Sequence, residues 1–226
     1  MIRGMGASRA GMAWEQTRAD VIANNVANLN THGFKRSVAV GTQFGEMLLR
    51  RMDDQASEGS APAVGPLGHG AVLTLVSTDQ AAGSLLPSDS PLDVALTDVG
   101  EFTFQTPAGP GYTRSGSFHR NQDGTLVTTE GFPVLVGGRS VGAGARSVVI
   151  QADASVLVDG QSAGRLDIRG GADTRLAVGA LESSNVDLGR ETTDLITALR
   201  AFQVNQRALQ VQDQILAKAV SELGRV

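Results

Sequence analysis

Stepping alternately by four and three residues from Met1 meets Met1, Met5, Ser8, Met12, Glu15, Ala19, Ile22, Val26 and Leu29. This mostly apolar row predicts one seam of an N-terminal helix. The same stepping from Leu188 meets Leu188, Thr192, Leu195, Leu199, Phe202, Gln206, Leu209, Asp213, Leu216, Val220 and Leu223. Sustained over several heptads, it predicts a coiled-coil stripe, with Ile22, Val26 and Leu29 opposite. Ile196, Val211, Ile215 and Ala219 flank that stripe, so the apolar face is wider than a two-stranded coil needs. Each helix is expected to touch more than one neighbour.

Between the ends the period changes to two. Short strands are expected at 71–76, 92–96, 102–105, 112–114, 117–120, 125–128, 133–136, 148–150, 155–158, 166–169 and 175–178. Turn formers separate them, among them Pro107-Ala108-Gly109-Pro110, Asn121-Gln122-Asp123-Gly124 and Asp159-Gly160. Phe44 to Met52 reads as a short amphipathic segment. Asp53 to Gly70, rich in Gly, Ala, Pro and Ser, reads as an extended or adaptable connector. The expected fold class is α+β: long terminal helices packing together in coiled-coil fashion, and a central, mainly antiparallel β domain. The expected segments are an N-terminal assembly helix and turn (1–36), a connector (37–70), a β-rich domain (71–180) and a C-terminal assembly helix (181–226).

Gly4, Gly6 and Gly11 each cost the first helix roughly 1 kcal/mol relative to Ala, so it is expected to fray until a partner covers it. Asn30-Thr31-His32-Gly33 supplies its stop, with Gly33 suited to the left-handed position past a helix end and Phe34 able to fold back on the last turn. The run of asparagines before that stop reads either as a polar helix end or as packed amides, which would need hydrogen-bond partners.

Composition narrows the middle of the chain. Of 226 residues, 4% are aromatic while 28 are Gly, which favours turn-rich β structure over a large enzyme core. A formal net charge of -4 gives no field that attracts nucleic acid or an anionic membrane, although Arg3, Arg9, Arg18, Lys35 and Arg36 make residues 1–36 locally basic. The chain has no cysteine, which removes disulfides, thiolate catalysis and Cys-ligated metal. No hydrophobic leader is visible in the first thirty residues and no segment has the length of a membrane span, so any export is expected without a cleaved signal peptide.

Catalytic motifs are weak. His32, His69 and His119 lack ligand-spaced companions. Gly138-Arg139-Ser140-Val141-Gly142 fits a nucleophile elbow only in spelling, since no strand-to-helix turn is expected there. Gly65-Pro66-Leu67-Gly68-His69-Gly70 lacks the Lys and Ser/Thr of a phosphate loop. Glu182 with Asp187, or Asp93 with Asp98, could serve a hydrolase only if a cleft brought them together, and Asp93 is expected to bond backbone at a hairpin end. No catalytic residue, metal ligand or cofactor is assigned.

Ala23-Asn24-Asn25-Val26-Ala27-Asn28-Leu29-Asn30-Thr31-His32-Gly33-Phe34-Lys35 resembles the N-terminal signature of the axial proteins of the bacterial flagellum, the rod and hook group. Three central stretches, 90–96, Tyr112 to Phe118 and Asp123 to Leu135, are similar to that family's β domain. Leu181 to Leu188, then Asp194-Leu195-Ile196 and Arg200-Ala201-Phe202-Gln203-Val204-Asn205, look like its closing helix. Gly4-Met5-Gly6 and Thr97 to Phe102 depart from the expected bulkier and doubly aromatic patterns.

The resemblance implies a structural subunit of a helical, torque-bearing rod in the basal body, outside the cytoplasmic membrane. It is most like the distal rod type, with a β-domain-bearing proximal type as alternative. Implied partners are copies of itself, other rod and hook proteins, the flagellar type III export apparatus and the surrounding bushing rings. The implied assembly residues are Ala23, Asn24, Asn25, Val26, Ala27, Asn28, Asn30, Thr31, Gly33, Phe34 and Lys35, with Asn185, Val186, Asp194, Leu195, Ile196, Leu199, Arg200, Phe202, Asn205, Leu209 and Leu216. A secreted peptidoglycan hydrolase and a cell-surface binding module are the rival readings.

Overall fold

A computed structural model describes residues 2–43, 47–50, 63–67, 71–170 and 175–223. Met1, Phe44, His69 and residues 53–62 and 68–70 of the expected connector lie outside them. Helix α1 spans Ile2–Ala27 and α2 Leu188–Leu223. Between them run β1 (Ser37–Gln43), β2 (Met47–Arg50), β3 (Ala63–Leu67), β4 (Ala71–Thr78), β5 (Leu85–Pro87), β6 (Val94–Leu96), β7 (Glu101–Thr106), β8 (Gly109–Thr113) and β9 (Phe118–Arg120). They continue as β10 (Leu126–Thr128), β11 (Leu135–Val136), β12 (Arg139–Ser140), β13 (Val148–Ile150), β14 (Ser155–Val158), β15 (Gln161–Arg165), β16 (Ile168–Arg169), β17 (Leu176–Val178) and β18 (Ala180–Glu182). Every ladder among the described residues is antiparallel. The α+β class with terminal helices and a central antiparallel β domain is therefore what the chain adopts.

The chain divides into two compact units along lines other than its four sequence segments. One holds Met1–Val26, Ser37–Thr78 and Leu188–Val226; the other holds Ala27–Arg36 and Asp79–Asp187. In the first unit, β4 pairs with β1 from Ser37↔Thr78 to Gln43↔Ala71, with a register shift at Val40/Gly41. The strand at 71–78 thus groups with the helices, because its hydrogen-bonding partner β1 follows α1 at the start of the expected connector (37–70). Trp14 of α1 lies against this ribbon: a Cβ added to Gly41 would come within 2.7 Å of its ring. Met47–Arg50 and Ala63–Leu67 form a further antiparallel pair, so part of the connector is strand.

The second unit is a set of short ribbons knitted by isolated bridges such as Phe104↔Val134 and Val136↔Leu166. Its core gathers Val94, Leu96, Phe102, Phe118, Leu126, Val134, Val136, Ile150, Val156 and Leu176. The Phe102 and Phe118 rings meet edge to face with centroids 5.1 Å apart, a geometry set by the ring quadrupoles. Alternation behaves as expected at β13, where Val148 and Ile150 are buried and Val149 is exposed.

One local expectation is corrected and one is met. Helix α1 ends at Ala27 and the chain then turns, with Thr31 N donating to Asn28 O, so Gly33 lies well past the helix end instead of capping it. Gly33 does take φ +70°. The reason is a close approach: a Cβ there would fall 2.5 Å from Ser115 N and 2.6 Å from Arg114 C. The Gly138 to Gly142 motif begins in a tight hairpin, with Gly137 (φ 58°) and Gly138 (φ 77°) turning β11 into β12. Two successive positive φ values make it a hairpin turn of primed type, and Ser140 sits on the return strand.

Candidate functional site

The helix-bearing unit is organised around Asn25 in the last turns of α1. Its side chain is fully buried. Oδ1 accepts from Ser37 N at 2.8 Å, and Nδ2 donates to Ser37 O at 2.8 Å and to Glu191 Oε2 at 3.2 Å. One amide thereby joins the end of α1, the start of β1 and the first turn of α2. Glu191 is also fully buried, in the first turn of α2, where unpaired helix N–H groups favour an anion. Further along, Arg18 Nη2 pairs with Asp194 Oδ1 at 3.3 Å, and Gly11 faces Asn205 so closely that a Cβ would fall 2.9 Å from Nδ2. These pairings run in opposite directions along the two chains, so the helices pack antiparallel.

The packed face of α2 is one residue out of phase with the sequence seam at alternate positions. Leu195, Phe202, Leu209 and Leu216 lie on it, half-buried. Leu199, Gln206, Asp213 and Val220 do not; all four are exposed, and the intervening positions are Glu191, Ala198, Asn205, Gln212 and Ala219. The reason is size and hydrogen bonding. Gly11 on α1 admits Asn205 at close range and Ala198 is small enough to be fully buried, while Glu191 satisfies Asn25. Gly11, read from sequence as a cost, lets Asn205 of α2 approach closely.

In the β unit, residues 27–36 lie as a strap whose hydrogen bonds converge on Glu182 and Asn185. Gly33 N donates to Glu182 O at 2.7 Å. Lys35 Nζ donates to Glu182 Oε1 at 2.5 Å and to Ala81 O at 2.8 Å, and the Gly83 amide reaches the same Oε1 at 2.9 Å. Arg114 Nε donates to Glu182 Oε2 at 2.6 Å, while its Nη1 reaches Gly100 O at 2.7 Å. Asn185 Oδ1 accepts from Arg36 N at 2.7 Å, and its Nδ2 donates to the carbonyls of Asp79 and Ala81, both at 3.0 Å. Asp79 N returns a bond to Arg36 O at 2.8 Å.

Side-chain exposures of 8% for Lys35, 9% for Arg114 and 2% for Glu182 make this a buried charge triad. Burial pushes the Glu182 carboxyl up, but hydrogen bonds from Lys35, Arg114 and the Gly83 amide together outweigh it and hold the group below its ordinary value of 4.5.

The remaining motif residues spread across both settings. Ala23, Asn24, Ala27, Asn30 and Thr31 are exposed, whereas Val26, Asn28 and Phe34 are half-buried and Gly33 is buried. Asn28 Oδ1 accepts from Thr31 Oγ1 at 3.2 Å. At the other end Val186 is buried, Asn185, Asp194 and Asn205 are half-buried, and Ile196, Leu199 and Arg200 are exposed. Sequence reasoning missed the roles of Glu191, Ala198 and Arg114. A row begun at Glu191 would have found the first two, but a charge at a seam position argues against its own inclusion.

The catalytic readings find no support in this geometry. Both Glu182 oxygens are occupied by cations, which leaves none to serve as a general acid or base. Asp93 accepts from the Ser88 hydroxyl at 2.5 Å, not from a backbone amide as expected, and is itself buried. His32 and His119 are exposed. Among the described residues no group of three or more His, Cys, Asp or Glu side chains could hold a metal ion, and no helix is long and apolar enough to cross a membrane.

Family comparison then falls on these same segments. The family described as "Flagella basal body rod protein" matches residues 5–35, the "Flagellar hook protein FlgE/F/G D1 domain" matches 95–158, and the "Flagellar basal body rod FlgEFG protein C-terminal" matches 177–222. The flagellar basal-body rod protein FlgG of Caulobacter vibrioides is 32% identical, covering 95% of this chain and 96% of its own. This chain belongs to the flagellar basal-body rod family. FlgG of Buchnera aphidicola from Schizaphis graminum is 30% identical over 96% of this chain and 98% of its own. The flagellar hook-basal body complex protein FlhO of Bacillus subtilis is 27% identical over the full length of both. The strap as far as Lys35 and the Asn25 turn fall in the first matched segment, Arg114 in the second, and Glu182, Asn185 and Glu191 in the third. Within the family the chain is most like the FlgG rod proteins.

Proposed function

We propose that this protein is a non-enzymatic structural subunit of the distal flagellar rod, polymerising with copies of itself and adjoining other rod and hook proteins in a helical, torque-bearing tube. The observation that carries this reading is the outer surface of α2. After α1 has covered one face, Ile196, Leu199, Val204, Val211, Ile215 and Val220 remain exposed along the same helix. An apolar surface of that length on a member of this family is suited to neighbouring helices of an assembly. The residues of the 23–35 motif and of the 185–216 helix are proposed as its assembly determinants. The division into assembly helices at 1–36 and 181–226, a connector at 37–70 and a β-rich domain at 71–180 is proposed in this functional sense.

Export through the flagellar type III apparatus without a cleaved signal peptide, and contact of the β unit with the surrounding bushing rings, belong to the same proposal. The location is then the basal body outside the cytoplasmic membrane.

The test is the double substitution Leu199→Asp with Ile215→Asp in a cell lacking the native gene. The expected result is loss of motility, and absence of the variant from purified hook-basal bodies, while the isolated variant keeps the wild-type unfolding midpoint. Both side chains are already half exposed, at 49% each, so neither charge is buried in the monomer. Normal incorporation of this variant would refute the helix surface as an assembly face.

A further inference from the structure

We propose that residues 27–36 form a polar strap on the β unit, latched by Glu182, which opens and closes as a step separate from the folding of the β core. The reasoning starts from what holds the segment. Its hydrogen bonds to the unit include the Gly33 amide to Glu182 O, Lys35 Nζ to Glu182 Oε1 and Ala81 O, Arg36 N to Asn185 Oδ1 and Arg36 O from Asp79 N. Neither Leu29 nor Phe34 belongs to the apolar cluster that spans Val94 to Leu176, nor to the half-buried residues packed against it. The core therefore loses no member when the strap lifts. The burial that makes unfolding of that cluster all-or-none is therefore not shared by this segment.

The latch is built so that opening leaves no isolated buried charge. Glu182 is gripped from two sides, by Lys35 on the strap and by Arg114 from the β unit. Lys35 leaves for water while Arg114 stays on Oε2 and on the Gly100 carbonyl. Stripping both cations from a buried carboxylate would be costly, but removing one exposes Glu182 to solvent on the vacated side and keeps the other pair. In the closed strap Gly33 takes its positive φ hard against Ser115, two residues before Lys35 reaches Oε1. This inference stands on contacts within the β unit and does not depend on the rod reading.

The test is native-state hydrogen exchange on the full chain, comparing the amides of Gly33 and Arg36 with those of Leu126 and Val134, which donate to Val141 O and Leu126 O. In the wild-type protein, added urea below the unfolding transition should accelerate the core amides steeply and the two strap amides weakly. In Glu182→Gln the strap amides should exchange about ten-fold faster or more, the scale of one charge-assisted hydrogen bond, and keep their weak urea dependence. Lys35→Met, which keeps the Glu182 to Arg114 pair, should do the same. Strap and core amides sharing one urea slope in the wild-type chain would overturn the proposal, even if Glu182→Gln failed to fold. So would strap exchange unmoved by Lys35→Met.

Discussion

Asn25 pairs with Ser37 as a neighbouring strand would, accepting from its amide through Oδ1 and donating to its carbonyl through Nδ2, each at 2.8 Å. A side chain on the last turns of a helix thus supplies the hydrogen bonds that the first residue of β1 lacks on that side. The same Nδ2 also reaches Glu191, so a single amide addresses both helices and the ribbon. Aspartate has nearly the same shape but cannot donate.

Asn25→Ala is accordingly expected to cost about 1–3 kcal/mol, the penalty for leaving buried partners unsatisfied. Asn25→Asp should cost more, because a carboxylate would face the Ser37 carbonyl and Glu191 without a proton to give. Urea unfolding followed by far-UV circular dichroism measures both. An Asp variant as stable as wild type would remove the amide from its assigned place.

The phase of α2 makes opposite forecasts at adjacent residues. Ala198 is fully buried, so Ala198→Leu should destabilise the monomer by about 1–3 kcal/mol through overpacking. Leu199 is 49% exposed, and Leu199→Ala should stay within about 0.5 kcal/mol in the isolated chain. Thermal melts of the two variants decide between this register and the row read from sequence. The reverse ranking would restore Leu199 to the intrachain seam.

At Gly33 the left-handed conformation itself costs any L-residue about 1–2 kcal/mol, and the added Cβ would meet the Arg114–Ser115 backbone. Gly33→Ala should therefore lift residues 27–36 and raise exchange at the Gly33 and Arg36 positions. Unchanged protection there would mean the backbone relaxes without losing the close approach.

Acid should act through Glu182. Its folded value is lowered, so its contribution to stability is complete above the ordinary 4.5 and is lost as pH falls through the lower folded value. The urea midpoint of the wild-type protein should therefore fall as pH drops from about 5 towards 3, and more steeply than that of Glu182→Gln. Parallel curves for the two proteins would show that other carboxylates carry the acid response.

Much of the architecture could be read from residue order because it rests on local periodicity. Row stepping located both helices, and alternation with Gly, Asn and Pro turns located β4, β13 and β14 closely. The strands missed are informative. β5 and β18 pair Leu85 to Leu86 with Leu181 to Glu182 across nearly a hundred residues, and β1 finds β4 beyond the connector. Neither pairing leaves a signal in its own neighbourhood. Gly41 in β1 and the short Leu-Leu-Pro of β5 look like loop until a partner supplies the hydrogen bonds.

The sequence by itself determined the two helical ends, the turn-rich β middle, the family and the set of residues around the 23–35 motif, since all of these follow from spacing, turn chemistry and recognisable order. Tertiary structure alone decided which atoms of that motif are paired. Asn25 goes to the helix pair and ribbon, and Lys35 goes to a carboxylate 147 positions away. It also decided that Ala198, and not Leu199, faces α1. The reason is physical: periodicity records which face of an element is apolar, whereas the phase of close packing and the pairing of buried charges depend on the shape and hydrogen-bonding needs of a distant surface.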